Sequence, residues 1–225
     1  MERFTIISCY TKNNEFSSYG TEANLLKESM TQFDLDTSHI NEYKDTGLWS
    51  WNTHYKIKFI KQKLEELKSP VVWTDADSRV KKYPEIFNNL QNWDFAANFR
   101  KKKHKELLNA GTMFFNNNDR VINMLHNWID ENNKLAEKSK TNNVMNSKLF
   151  CDQTSMRFLL KNVEFTNKLK IYKLSDSYYR VRDGIYKSEF YDKYKNIETI
   201  IEHTQASVRL KIKRRQQLTA WKSSQ

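Results

Sequence analysis

The chain has 225 residues, ample for one large α/β core and awkward for two. Its 38 Lys and Arg against 27 Asp and Glu give a net charge of +11, which favours polyanionic partners: nucleic acid, acidic lipid or phosphorylated substrates. With 38% apolar and 13% aromatic residues, two cysteines lacking metal-ligand spacing, and no apolar run long enough for a signal-peptide core or membrane span, the composition excludes wholesale disorder, a disulfide scaffold and a transmembrane chain. Cys9 and Cys151 fit packing roles in a reducing compartment, so a cytoplasmic location is expected.

In chain order, Phe4–Cys9 reads as a buried first strand. Ala23–Phe33, with Leu25, Leu26, Met30 and Phe33 on one helical face, reads as the helix after it. Ile57, Ile60, Leu64 and Leu67 recur at spacings of three and four and predict a second amphipathic helix, ended by Ser69-Pro70 just before the apolar run Val71-Val72-Trp73. A short helix is expected over Glu85–Leu90, a strand over Asp94–Phe99, a basic loop over Lys101–Lys105 and a strand over Gly111–Phe115. Val121, Ile122, Leu125, Trp128 and Ile129 predict a helix over Asp119–Asn132, whereas Lys138–Lys148 has no apolar period and reads as a loop. Asp152 is placed to cap a helix running to Leu160. Strands around Phe165–Leu174 and Ile197–Ile201 precede a basic tail over about 209–225. No repeat or linker interrupts the chain, so one domain is expected over 1–225. Alternating elements, with strands too apolar for a solvated face, predict an α/β fold: a mostly parallel central sheet covered by helices on both sides. Ligands of such sheets bind beyond the carboxyl ends of the strands.

Val71–Trp73 runs into Thr74-Asp75-Ala76-Asp77, which places two carboxylates one residue apart at the mouth of a buried strand. Hard oxygens at that spacing suit Mg²⁺ or Mn²⁺, and such an ion neutralises a bound diphosphate. The plain alternative is a turn in which the aspartates hydrogen-bond locally. A calcium loop starting at Asp75 is excluded, because Arg79, Val80 and Ile86 occupy positions that require an oxygen ligand, Gly and Glu. An aspartyl-phosphate phosphatase site, which also follows an apolar strand, expects Thr or Val where Arg79 stands.

Five landmarks in order, VVWTDAD with Pro84 behind it, WDFAANF, NAGTMFFNN, CDQTSMR and IEHTQASVRL, together resemble nucleotide-sugar glycosyltransferases with the GT-A fold. The resemblance covers Phe4 to about Lys211 and implies a Rossmann-like α/β domain, a nucleotide-diphosphate sugar as donor (a UDP-sugar favoured) and a divalent cation. On it, Asp77 would ligate the metal and Asp75 would contact the ribose or the metal's water. His203 would join the metal or diphosphate site, its imidazole favouring Mn²⁺ over Mg²⁺, against the plain reading of a strand-end histidine satisfied by backbone. Arg209 and Lys211 would reach the diphosphate, or else belong to a solvated tail. Lys56 would face the donor, or else be an ordinary exposed helical lysine. Tyr10 and Thr11, just past the first strand, would contact the nucleoside, Tyr10 by stacking. Asn109, Gly111 and Thr112 would floor the transferring sugar, Gly111 letting backbone approach the ligand. Asp152 and Gln153 would lie beside the reacting centre, with Asp152 the base in an inverting transfer and a group that orients sugar hydroxyls in a retaining one.

Three basic clusters, Arg79–Lys82, Lys101–Lys105 and Lys211–Arg215, fit a polyanionic acceptor. One such acceptor is DNA, its phosphates held while a hydroxymethylated base is extruded into the transfer pocket. Transferases of this general kind modify such bases in viral and parasite DNA; for a viral chain the compartment would be the host cytoplasm. No helix-turn-helix, zinc-finger or RNA-binding signature accompanies the clusters. A second acceptor is a glycolipid or surface polysaccharide at the membrane face, with the tail and Trp221 as a peripheral contact. The clusters also read as a plain solvated face, and a reading from another class makes the chain a non-catalytic basic nucleic-acid-binding module. The spread of basic residues beyond the tail favours nucleic acid.

Overall fold

The computed structural model describes residues 4–12, 19–44, 49–102, 105–141, 151–181 and 196–205. Arg209, Lys211 and the rest of the basic tail lie outside the described residues, as do the side chains of Lys101–Lys105. The strands are β1 (Thr5–Thr11), β2 (Ile40–Tyr43), β3 (Val71–Thr74), β4 (Ser78–Val80), β5 (Phe95–Lys102), β6 (Lys105–Phe115), β7 (Ile171–Leu174), β8 (Arg180–Val181) and β9 (Ile201–His203). The helices are α1 (Tyr19–Thr31), α2 (Trp49–Leu67), α3 (Asp119–Thr141), α4 (Asp152–Leu159) and α5 (Val163–Thr166). A six-stranded sheet has the order β2-β1-β3-β6-β5-β7, and a three-stranded sheet the order β4-β9-β8. Within the large sheet only β6 runs against the rest, pairing antiparallel with β3 and β5. The expected mostly parallel α/β sheet is therefore the one observed.

Adjacent residues of the central strands enter different cores, which is why these strands carry unbroken apolar runs. Ile7, Trp73, Phe95 and Phe115 pack with Ile57, Ile60 and Leu64 of α2 and with Val121, Leu125 and Trp128 of α3. Ile6, Val72, Ala96 and Phe114 face the other way, against Ala23, Leu26 and Met30 of α1 and against Phe87. Each fully buried Leu, Ile or Phe contributes about 1.5–3 kcal/mol to holding a helix on the sheet. Lys68, in the left-handed region at φ 52°, ends α2 and turns the chain into Ser69-Pro70 and β3. At the far side, buried Asp94 receives a two-pronged bond from Arg120 (2.9 and 2.8 Å), one from Asn118 and one from the Lys170 amide. Burial opposes the Asp94 charge, yet these donors hold its carboxyl below the usual range and tie the starts of α3 and β7 to β5.

Several expected boundaries move. Lys101, Lys102 and Lys105 are strand residues rather than a loop, because β5 and β6 form one long hairpin that pairs Lys102 with Lys105. That pairing carries β6 six residues ahead of Gly111. The α3 helix continues to Thr141, since Leu135 and Ala136 still bury, so Lys138–Thr141 is helical rather than loop. Cys151 stands at the N-cap of α4, and Asp152 is the first helical residue, its carboxylate directed elsewhere. Around Phe165 the chain is helical, capped by the Asn162 side chain on the Phe165 amide, and the strand expected over Ile197–Ile201 begins only at Ile201. No helix among the described residues is long and apolar enough to cross a membrane.

Candidate active site

A cleft of about 520 Å³ opens at the carboxyl ends of β1 and β3, floored by the middle of β6 and walled by α4. The Asp75–Ser78 segment is a tight turn, with the Ser78 amide donating to the Asp75 carbonyl at 2.9 Å. The local-turn reading of the paired aspartates is therefore correct as to backbone. It does not exhaust them, because the same turn delivers both carboxylates to the cleft. Asp77 is buried, and Asp75 is partly exposed. The β4–β9 register places Ser78 opposite His203, and the Thr204 amide donates to the Asp77 carbonyl at 2.8 Å. Ligand atoms of Asp75, Asp77 and His203 consequently lie within 4.8 Å of one another.

His203 is fully buried. One ring nitrogen, Nδ1, lies 3.1 Å from the Ser78 hydroxyl, and Nε2 lies 2.9 Å from that of Thr112. Its polar partners are thus hydroxyls, not the backbone groups of the plain reading. Burial and the nearby Lys56 ammonium push its pKa down to about 3, which keeps the imidazole neutral, the form that ligates metals. Two carboxylate oxygens and a neutral imidazole are a donor set that fits Mn²⁺.

Lys56 is not the exposed helical lysine that its sequence context allows. It is buried, with Nζ 3.0 Å from Asp75 Oδ1, 2.7 Å from Asp152 Oδ2 and 3.1 Å from the Ala110 carbonyl, and it sits 4.8 Å over the Trp73 ring. Burial disfavours the ammonium, but Asp152 and Asp75 outweigh it and hold the pKa above the ordinary lysine value. Trp73 donates its indole N–H to Asp75 Oδ1 at 3.0 Å. Asp75 is thereby oriented from two sides.

Of the remaining expected site residues, Tyr10, Thr11, Asn109, Gly111, Asp152 and Gln153 line the same cleft, whereas Thr112 is buried beneath it against His203. Tyr10 and Thr11 line the cleft as the last residues of β1 rather than lying past that strand. Gln153 accepts from the Ala110 amide at 3.1 Å, and Asn109 donates to Asn98 at 2.6 Å. Gly111 has a different constraint from the one expected. A Cβ there would meet Tyr179 Cε2 at 2.4 Å and His203 Cε1 at 2.7 Å, so the close approach is by protein side chains. Gly111→Ala is expected to push the His203 ring aside, destabilise the fold by about 1–3 kcal/mol and weaken Mn²⁺ binding about tenfold or more. Thermal melting and calorimetric Mn²⁺ titration check both, and unchanged affinity would show that His203 position is immaterial. Tyr179, whose ring lies 4.4 Å from that of His203, and Arg157 were not singled out by sequence; both join the cleft through contacts distant in the chain.

The first basic cluster is charge-compensated. Arg79 pairs with Glu22 at 2.5 Å, Lys81 with Glu202 at 3.6 Å, and Lys82 with Glu198.

No protein-family model and no curated protein sequence matches the chain. In structure it is similar to a glycosyltransferase involved in glycosylation of the major capsid of PBCV-1, at 12% identity and TM-score 0.60 over 91% of this chain and 93% of that one. It is also similar to mouse xyloside xylosyltransferase 1, at 10% identity and TM-score 0.51 over 91% and 98% of the two chains. A third likeness is to the galactosyltransferase LgtC in complex with donor and acceptor sugar analogues, at 11% identity and TM-score 0.52 over 88% and 86%. Over 88–91% of its length, the chain has the GT-A fold that these glycosyltransferases share.

Proposed function

We propose that the protein is a metal-dependent glycosyltransferase that moves a sugar from a nucleotide-diphosphate sugar, a UDP-sugar by preference, to an acceptor hydroxyl. The observation that carries this reading is the convergence of Asp75 and Asp77, which line the cleft, with the buried His203 behind them. These residues would hold Mn²⁺ or Mg²⁺, which supplies positive charge against the departing diphosphate. Tyr10 and Thr11 border the β1 end, where the nucleoside would lie, and Asn109, Gly111 and Gln153 line the part of the cleft where the transferring sugar would lie, with Thr112 buried behind them against His203. Arg209 and Lys211 are proposed diphosphate contacts by resemblance alone.

Asp152 is assigned an orienting role rather than that of a base. It is buried, and Lys56 occupies its Oδ2 at 2.7 Å. The other carboxylates lining the cleft among the described residues, Asp75 and Asp77, belong to the metal group. With no further carboxylate lining the cleft among the described residues to take the acceptor's proton, the reading favours transfer with retained configuration. The acceptor assigned is a saccharide rather than DNA, because the described basic cluster, Arg79–Lys82, is neutralised by its own glutamates.

Thermal melting with UDP tests the core of this reading. UDP is expected to stabilise only when Mn²⁺ or Mg²⁺ is present, by about 2.7 kcal/mol at a hundredfold excess over Kd. A UDP-sugar panel then gives the donor, and the anomeric proton of the product reports configuration. Equal stabilisation in a chelator would defeat the metal role, and salt-sensitive DNA binding without sugar turnover would favour the non-catalytic module.

A further inference from the structure

The imidazole of His203 bridges the two sheets. It is borne on β9, and its ring nitrogens meet hydroxyls from different sheets: Nδ1 meets Ser78 of β4 at 3.1 Å, and Nε2 meets Thr112 of β6 at 2.9 Å. Ser78, Thr112 and His203 are all fully buried. The ring is also confined, because the Tyr179 ring lies 4.4 Å from it and a Cβ on Gly111 would meet its Cε1 at 2.7 Å. A neutral imidazole has one N–H and one bare nitrogen, so one hydroxyl accepts from the ring and the other donates to it. Only the bare nitrogen can ligate an ion, and the hydroxyl that donates to it must then give way.

Which hydroxyl can give way is decided by what else it can reach. A buried hydroxyl that loses its partner costs free energy unless another partner stands ready. Thr112 has one. Thr74 of β3 is its cross-strand partner, so the two side chains stand on the same face of the sheet, at the spacing at which threonine pairs hydrogen-bond. The Thr74 hydroxyl is fully buried and has no hydrogen-bond partner. Ser78 has no such alternative: its cross-strand neighbour is His203 itself, and among the described residues no partnerless buried side-chain atom lies on β4 or β9.

We propose that Ser78, Thr112 and Thr74 are positioning residues that set the tautomer of His203 and ready its Nε2 for an ion. Ser78 keeps the proton on Nδ1 by accepting its hydrogen bond. Thr112 donates to Nε2 while that nitrogen is unligated and turns to Thr74 when it is ligated. The proposal rests on the metal-dependent reading and deepens it, since it names the nitrogen that the site offers and the hydroxyl that is exchanged.

The test reads binding and spectroscopy rather than turnover. In the ¹⁵N spectrum of the metal-free protein, the His203 ring is expected to carry its proton on Nδ1. Mn²⁺ affinity, followed by loss of the free-ion EPR signal, should shift in opposite directions in two variants. Ser78→Ala should weaken it about ten- to a hundredfold, because the Nδ1–H is left without an acceptor. Thr112→Val should strengthen it about three- to tenfold, because no hydrogen bond then has to be broken. Thr112→Ser keeps the hydroxyl and should bind as the parent does. Thr74→Val should weaken binding about three- to tenfold by itself and have no effect on top of Thr112→Val. A metal-free protein protonated on Nε2, or a Thr112→Val variant that weakens binding as Ser78→Ala does, overturns the proposal. The tautomer is read on the unaltered chain, so that result stands even where a variant fails to fold. Failure of the parent to bind Mn²⁺, with or without UDP, would instead overturn the metal-dependent reading beneath it.

Discussion

Asp77→Asn is expected to lower sugar transfer by about a thousandfold, a loss of roughly 4 kcal/mol of transition-state stabilisation, and to abolish the metal-dependent rise in melting temperature with UDP. The substitution keeps shape and removes charge. Asp77 is buried, and the backbone around it is held through its carbonyl, which receives the Thr204 amide and hydroxyl at 2.8 and 3.0 Å. The fold should thus survive, with a ligand-free melting temperature close to that of the parent. A variant that also lost its fold would say nothing about the ion, which makes that control part of the result. Undiminished stabilisation by UDP and Mn²⁺ in Asp77→Asn would remove the metal from the mechanism.

The second large effect is on stability. Lys56→Met should destabilise by about 3–5 kcal/mol and lower the melting temperature by on the order of 10 °C, because removing one member of a buried ion pair strands the other. Asp152 dominates the loss, since its side chain is 6% exposed, whereas that of Asp75 is 34% exposed and partly served by water and the Trp73 indole. Adding Asp152→Asn should therefore recover much of the deficit, a coupling of about 1–3 kcal/mol measurable by a double-mutant cycle in urea. A Lys56→Met protein that melts within about 2 °C of the parent would show that the triad is solvated in solution.

These two residues also show what a linear sequence discloses. Asp75 and Asp77 were legible because their arrangement is local: a buried strand, then a turn, with the side chains committed by spacing alone. The sequence leaves Lys56 open between the donor side and an exposed helix face because helical periodicity marks only apolar positions, and its two partners come from β3's end and from α4. Charge counting failed at Arg79–Lys82 for the same reason. The compensating Glu22, Glu198 and Glu202 are remote in the chain and adjacent in space. Central strands and long helices were readable from burial patterns, whereas the lysine-rich hairpin arms of β5 and β6 were not, since cross-strand pairing there overrides weak strand propensity. The α5 turn carried a usable signal in Asn162, an amide side chain well suited to start a helix, but four residues of helix leave no period to detect.

The small sheet has a consequence for synthesis. The aspartates leave the ribosome early, but the imidazole that meets them is borne on β9, which must pair with β4 before the group is complete. A growing polypeptide can therefore assemble most of the large sheet while still lacking its third ligand. On the proposed function, ion capture, and with it any reactivity toward nucleotide sugars, would be deferred until translation has passed residue 203.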